Sequence, residues 1–153
     1  MKQIGLAILL FVALSSKVTA QESLRKTHFN LKSQVAIQGY DPVAYFNLGH
    51  AEKGKEDLAV FYQGVNYYFS NNANKELFKK QPAKYEPAYG GWCAYAMGAS
   101  AEKVSIDPAT FKIVDGRLFL FYNKFFNNTL KDWDKKQAEL EAAADANWSK
   151  LFH

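Results

Sequence analysis

The stretch Leu58–Ser70 reads LAVFYQGVNYYFS. Leu58, Val60 and Tyr62 alternate on one side of Gln63-Gly64, and Val65, Tyr67 and Phe69 alternate on the other. Alternation with a period of two, broken by a glycine turn, predicts two antiparallel strands sharing one buried face. A second hairpin is predicted over Thr110–Asn123. There Phe111, Ile113 and Val114 lead into Asp115-Gly116, a favoured two-residue turn, and Leu118, Leu120 and Tyr122 return. Phe119 and Phe121 occupy the other face of that return strand, so both of its faces are expected to be covered.

Outward from the first hairpin, Ser70 or Asn71 is positioned to cap a helix over about Asn72–Gln81, with Leu77 and Phe78 inward and Pro82 as its stop. Upstream, the first part of the stretch Val35–Phe46 reads as a short strand. Asp41-Pro42 reads as a helix start, with the aspartate capping free amides and the proline at the first helical position. Downstream, Leu130, Trp133, Gln137, Leu140, Ala144, Trp148 and Leu151 recur at steps of three and four. That spacing predicts one long amphipathic helix over Thr129–Phe152, with Thr129 and Asp132 as a capping box. The fold class is therefore α+β: a small antiparallel sheet from two hairpins plus a short strand, packed with helices including a long C-terminal one.

The segment Tyr85–Gly98, YEPAYGGWCAYAMG, holds the only cysteine of the chain, Cys93, and the only methionine besides Met1, Met97. On a helix, residues four apart share a face, so the two sulfurs are expected to point the same way. A thiolate with a thioether suits a soft ion such as Cu(I). His50, in the polar loop Gly49–Asp57, is the best placed of three histidines to add an imidazole; His28 and His153 are the others. The candidate metal ligands are thus Cys93, Met97 and His50. The same two sulfur residues equally suit a packed core, because free cysteine is among the most buried residue types and methionine fills gaps. Nine tyrosines could line a polar-aromatic pocket or simply fill the core. A thiol-dependent enzyme ranks third, since an apolar setting raises a thiol's pKa rather than activating it.

The chain has 153 residues, 48% apolar, 22% charged and 16% aromatic, which fits one small domain with an aromatic core. Residues 1–20 read as a secretory signal: Lys2, then the apolar run Ile4–Leu14, then Val18-Thr19-Ala20 as the cleavage site. A retained anchor is the alternative, but the run is shorter than the about 20 residues a span requires. Residues 21–33 are expected as a flexible polar lead-in, and 34–153 as the domain. The protein is accordingly expected to be periplasmic or secreted, without stable membrane insertion once the signal is removed. Basic residues are scattered among acids, which excludes a nucleic-acid footprint. A lone cysteine cannot form an internal disulfide.

The ordered series Gly39-Tyr40-Asp41-Pro42-Val43-Ala44-Tyr45-Phe46, Tyr62-Gln63-Gly64, Tyr67-Tyr68-Phe69-Ser70, Phe78, Pro82-Ala83-Lys84-Tyr85, Tyr89-Gly90-Gly91-Trp92-Cys93-Ala94, Asp107-Pro108 and Val114–Leu120 resembles the YHS domain family. It is similar, more narrowly, to the small exported bacterial YHS proteins, over nearly the whole mature chain. The resemblance implies a compact α+β module. It also implies a metal-binding role, copper foremost, because such domains occur beside copper-pumping ATPases and some oxygenases. The family's Gly-Gly-aromatic-Cys segment falls on Cys93. Two positions depart from the metal-linked pattern: there is no second cysteine, and Gln63 stands where a histidine is common. The functional expectation is an exported, non-enzymatic binding module that takes copper through Cys93. The alternative is a small-molecule or protein-binding module with a structural cysteine and an aromatic pocket.

Overall fold

The computed structural model describes residues 20–152. The predicted signal, apart from Ala20, and His153 lie outside the described residues. The chain is α+β. Among the described residues, 20–28 are helical (α1), followed by strands β1 (Leu31–Lys32) and β2 (Val35–Ala36) and a 3-10 turn at Ile37–Gly39. Helix α2 (Ala44–Asn47) precedes the hairpin of β3 (Lys55–Tyr62) and β4 (Val65–Phe69). Helices α3 (Asn72–Lys80) and α4 (Pro82–Tyr85), a 3-10 turn at Ala88–Gly91 and helix α5 (Ala94–Ser100) come next. Then come β5 (Asp107–Val114), β6 (Arg117–Phe121), β7 (Asn123–Lys124), β8 (Asn127–Asn128), α6 (Leu130–Lys135), α7 (Gln137–Ser149) and a 3-10 turn at Lys150–Phe152.

Both predicted hairpins form, and their turns show why. Gln63 and Gly64 have φ of 45° and 86°, and Asp115 and Gly116 have 49° and 76°. Two successive left-handed residues match the twist of the flanking strands. The hairpins do not share a sheet, however. β3 and β4 belong to a four-stranded sheet ordered β1-β2-β4-β3, in which β2 meets β4 in parallel. β5 and β6 stand as a separate pair, as do β7 and β8.

Strand β6 is the wall between two cores. Leu118 and Leu120 enter one cluster with Val65, Tyr67, Phe69, Phe78 and Cys93. Phe119 and Phe121 enter the other with Met97, Trp133, Leu140 and Ala144. These four of the five β6 side chains are fully buried, each contributing about 2 kcal/mol of apolar burial. The Pro87–Cys93 segment lies along β6 through parallel bridges at Pro87–Leu118 and Cys93–Leu120. The second core is closed by α5 against α7. A Cβ on Gly98 would stand 2.4 Å from the Leu140 carbonyl oxygen, so glycine sets how closely the two helices cross.

Three local expectations change. The C-terminal helix is not continuous, because Lys136 leaves helical geometry at φ −142°, ψ 35°, and splits it into α6 and α7. The capping box at its start does not form; the Thr129 hydroxyl instead donates to the Tyr122 carbonyl at 3.0 Å. Leu77 is 38% exposed while Phe78 is fully buried, and Pro82 opens α4 rather than only ending α3.

The 21–33 segment is also more than a lead-in. It carries most of α1, and its Arg25 is 6% exposed. Distant chain supplies what a polar helix cannot supply itself. Arg25 pairs with Glu86 and donates to the Gln63 carbonyl (3.0 Å) and the Tyr67 hydroxyl (3.3 Å). Its guanidinium also stacks 4.4 Å from the Phe29 ring centroid.

Asp41 accepts free amides as expected, but Pro42 lies in the turn before α2, which begins at Ala44, and one carboxylate does the work of several caps. Its Oδ1 accepts the Val43 and Ala44 amides at 2.9 and 3.3 Å. Its Oδ2 accepts from the Ser70 amide (2.8 Å), the Ser70 hydroxyl (2.7 Å) and the Asn74 side-chain amide (2.8 Å). Asp41 is fully buried, and five donors satisfy its charge.

Candidate functional site

Cys93 sits at the N-cap of α5 with φ −59° and ψ 117°, outside helical geometry. The expectation that it shares a helix face with Met97 requires both residues to be helical, and only Met97 is. Cys93 therefore packs in the first core and Met97 in the second, at 0% and 1% exposure. His50 is on the surface, its side chain 59% exposed, with Nε2 3.4 Å from Glu52 and Nδ1 3.2 Å from the Leu48 carbonyl. The three candidate ligands thus occupy three different settings. Among the described residues no group of three or more His, Cys, Asp or Glu side chains is arranged to hold a metal.

The Cys93 sulfur has definite neighbours. The Tyr122 amide donates to it at 3.4 Å, and the Thr129 hydroxyl lies at 3.4 Å. Because that hydroxyl donates to the Tyr122 carbonyl, the arrangement that satisfies all three groups has the thiol donating to Thr129. The sulfur is then one member of a closed ring of hydrogen bonds that ties α5 to the stem that follows β6.

A cleft of about 300 Å³ lies where the Gly90 turn meets the C-terminal helix, with Phe29, Lys84, Glu86, Tyr89, Arg117 and Trp148 on its walls. Glycine is required at its base. Gly90 has φ +59°, and a Cβ there would meet the Phe29 ring at 2.7 Å and the Trp148 ring at 2.9 Å. The two rings lie 5.9 Å apart, and Tyr89 meets Trp148 edge-on at 6.4 Å. Backbone bonds fix the wall: the Asn30 amide donates to Gly90 O and its side chain to Gly91 O, both at 2.9 Å.

The charges around the cleft are mostly committed. Arg117 bonds Glu141 at 2.8 Å and Asp145 at 2.7 Å. The Asp145 bond, against some desolvation, raises the Arg117 pKa. Tyr89 donates to Asp145 at 2.9 Å; burial first, then this bond, pushes its phenol up. Glu86 is held by Arg25 and by the Tyr67 hydroxyl. Burial, with Glu86 beside it, holds the Tyr67 phenol well above its ordinary range. Lys84 differs: its ammonium lies 5.0 Å over the Tyr85 ring and makes no ion pair among the described residues.

Of the tyrosines offered as pocket residues, Tyr89 lines this cleft, whereas Tyr45, Tyr67 and Tyr85 are core. Sequence reasoning missed Phe29, Lys84, Arg117 and Trp148 as companions. The only available signal was Trp148 on the amphipathic face of the C-terminal helix. Nothing local joins residues 29, 84, 117 and 148. Comparison with protein-family models, with the curated proteins and with the solved structures finds no match for this chain.

Proposed function

We propose that this chain is an exported, YHS-type, non-enzymatic binding module whose ligand seat is the Gly90 cleft and whose cysteine is structural. The ligand class is a small planar organic anion. One observation carries the reading: three aromatic side chains, Phe29, Tyr89 and Trp148, stand around one cleft whose uncommitted charge is the Lys84 ammonium. Aromatic walls with a few convergent polar groups are the usual make-up of a small-molecule site. Rings supply stacking area, and the cation sets the sign of the ligand.

The test is titration of the protein with benzoate and with indole-3-carboxylate, followed by amide and indole chemical shifts. Saturable shifts at Gly90, Gly116 and the Trp148 indole are expected, with Lys84→Glu weakening binding by about fivefold. Shifts absent from all three, or spread evenly over the surface, would refute the site.

Soft-metal binding at Cys93 is the second reading, carried by the thiol and by the family resemblance. With the sulfur fully buried, copper would require the thiol to lose its proton and the ring of bonds to Thr129 and Tyr122 to open. Cu(I) titration under a competing chelator, beside Cys93→Ser, separates the readings. Equal affinity in both proteins assigns Cys93 to structure, and a large loss in the variant assigns it to copper.

A further inference from the structure

The hairpin of β7 and β8 carries Phe125 and Phe126 at its tip, 88% and 110% exposed. Their φ angles are +52° and +65°. This is the same left-handed pair of turn positions filled by Gln63-Gly64 and Asp115-Gly116 in the other two hairpins. Those turns place glycine second, where a side chain is disfavoured. Here both positions hold bulky aromatics, contrary to local backbone preference, and both rings stand in water, contrary to their solvation preference. An isolated molecule gains nothing from either. A surface that buries the rings recovers the loss.

The charge around the tip says which surface. From Gly116 to Lys131 the chain contains no acidic residue and has Arg117, Lys124 and Lys131 as its cations. Lys124 and Lys131 are exposed and make no ion pair among the described residues. Across the stem, Asn123 donates to the Thr110 hydroxyl at 2.9 Å. The acid on that side, Asp107, is occupied by Thr110 and Ala109, both at 3.0 Å. The stem is rigid: the Thr129 amide bonds Tyr122 O at 3.0 Å, and the Cys93 thiol braces both residues. A hydrogen-bonded stem presenting two rings next to the exposed Lys124, in a stretch without acids from Gly116 to Lys131, matches an anionic bilayer, with rings for the acyl boundary and the cation for the headgroups.

We propose that the Phe125-Phe126 tip is a peripheral anchor that inserts into the interface of anionic lipid membranes. No helix among the described residues is long and apolar enough to cross a membrane.

The test uses the full chain with vesicles of dioleoylphosphatidylglycerol and dioleoylphosphatidylcholine. Because the apolar run Ile4–Leu14 would itself adsorb, the readout must be local to the tip. Phe125→Trp is expected to gain emission that brominated lipid quenches in anionic vesicles but not in pure phosphatidylcholine. In that background Lys124→Glu/Lys131→Glu is expected to abolish the lipid preference. Phe125→Asn/Phe126→Gly installs the favoured turn and is expected to melt no lower than wild type, and Phe126→Gly in the Phe125→Trp background is expected to weaken the quenching by anionic brominated vesicles at least about threefold. An unquenched tip tryptophan, or a lipid preference that survives Lys124→Glu/Lys131→Glu, would overturn the proposal. So would tip-dependent dimerisation in the absence of lipid, which assigns the rings to a second copy.

Discussion

The Arg25–Glu86 pair offers the sharpest test of how α1 belongs to this domain. Arg25 makes four hydrogen bonds: one to Gln63 O, one to the Tyr67 hydroxyl and two to Glu86. The side chains are only 7% and 16% exposed, so water cannot replace a lost partner. Removing one member of such a pair leaves the other buried and uncompensated, which costs about 3–5 kcal/mol. Arg25→Met and Glu86→Gln should therefore each lower stability by about 3 kcal/mol and the melting temperature by roughly 10 °C. The double variant should cost less than the two single losses combined by about 1.5–3 kcal/mol, because no charge is then stranded. Urea denaturation at neutral pH, followed by tryptophan fluorescence, measures all four proteins, and a common slope confirms that only stability moved. If Arg25→Met falls within about 0.5 kcal/mol of wild type, α1 is not docked and the argument fails. Strict additivity would show that the two side chains are not coupled.

Two further outcomes follow from single features of the cores. Gly98→Ala gains up to about 1 kcal/mol of helix propensity. It also places a Cβ 2.4 Å from the Leu140 carbonyl, a backbone atom that cannot rotate away. Overpacking of about 1–3 kcal/mol wins, so a net loss is expected, and an unchanged or raised melting point would show that α5 and α7 can separate freely. The buried tyrosines set the alkaline limit. Tyr45, Tyr67 and Tyr89 all have raised pKa values, chiefly through burial. In the unfolded chain they ionise near pH 10, so the folded state holds more protons above that pH and stability falls as pH rises. The contribution is intact below about pH 10 and declines by about 1.4 kcal/mol per pH unit for each tyrosine above it. Urea midpoints at rising pH should show this loss, reduced in Tyr45→Phe; tyrosinate absorbance developing fully near pH 10 without unfolding would contradict it.

Local chemistry was enough for the two principal hairpins and the helix after the first of them. Period-two alternation, a glycine after Gln63 and after Asp115, and the Asn71 cap are decided within a few residues, and each forms where expected. The double-sided apolar pattern of β6 likewise announced a strand with two covered faces. These are short-range facts of backbone preference and pattern, so the chain alone carries α+β and its principal hairpins.

What the chain could not disclose is anything that depends on residues far apart in sequence. The helix-face argument for Cys93 and Met97 failed on one torsion, the non-helical ψ of Cys93, which is imposed by pairing with β6. The break at Lys136 and the diversion of Thr129 from its cap depend on the packing of α6 and on Cys93 and Tyr122. The cleft joins residues 29, 84, 90, 117 and 148, and Arg25 finds its partner 61 positions away. Pattern reports which side chains prefer burial or water. Only the closed fold decides which of them meet, because that choice is made by long-range packing and by hydrogen-bond partners that no local window contains.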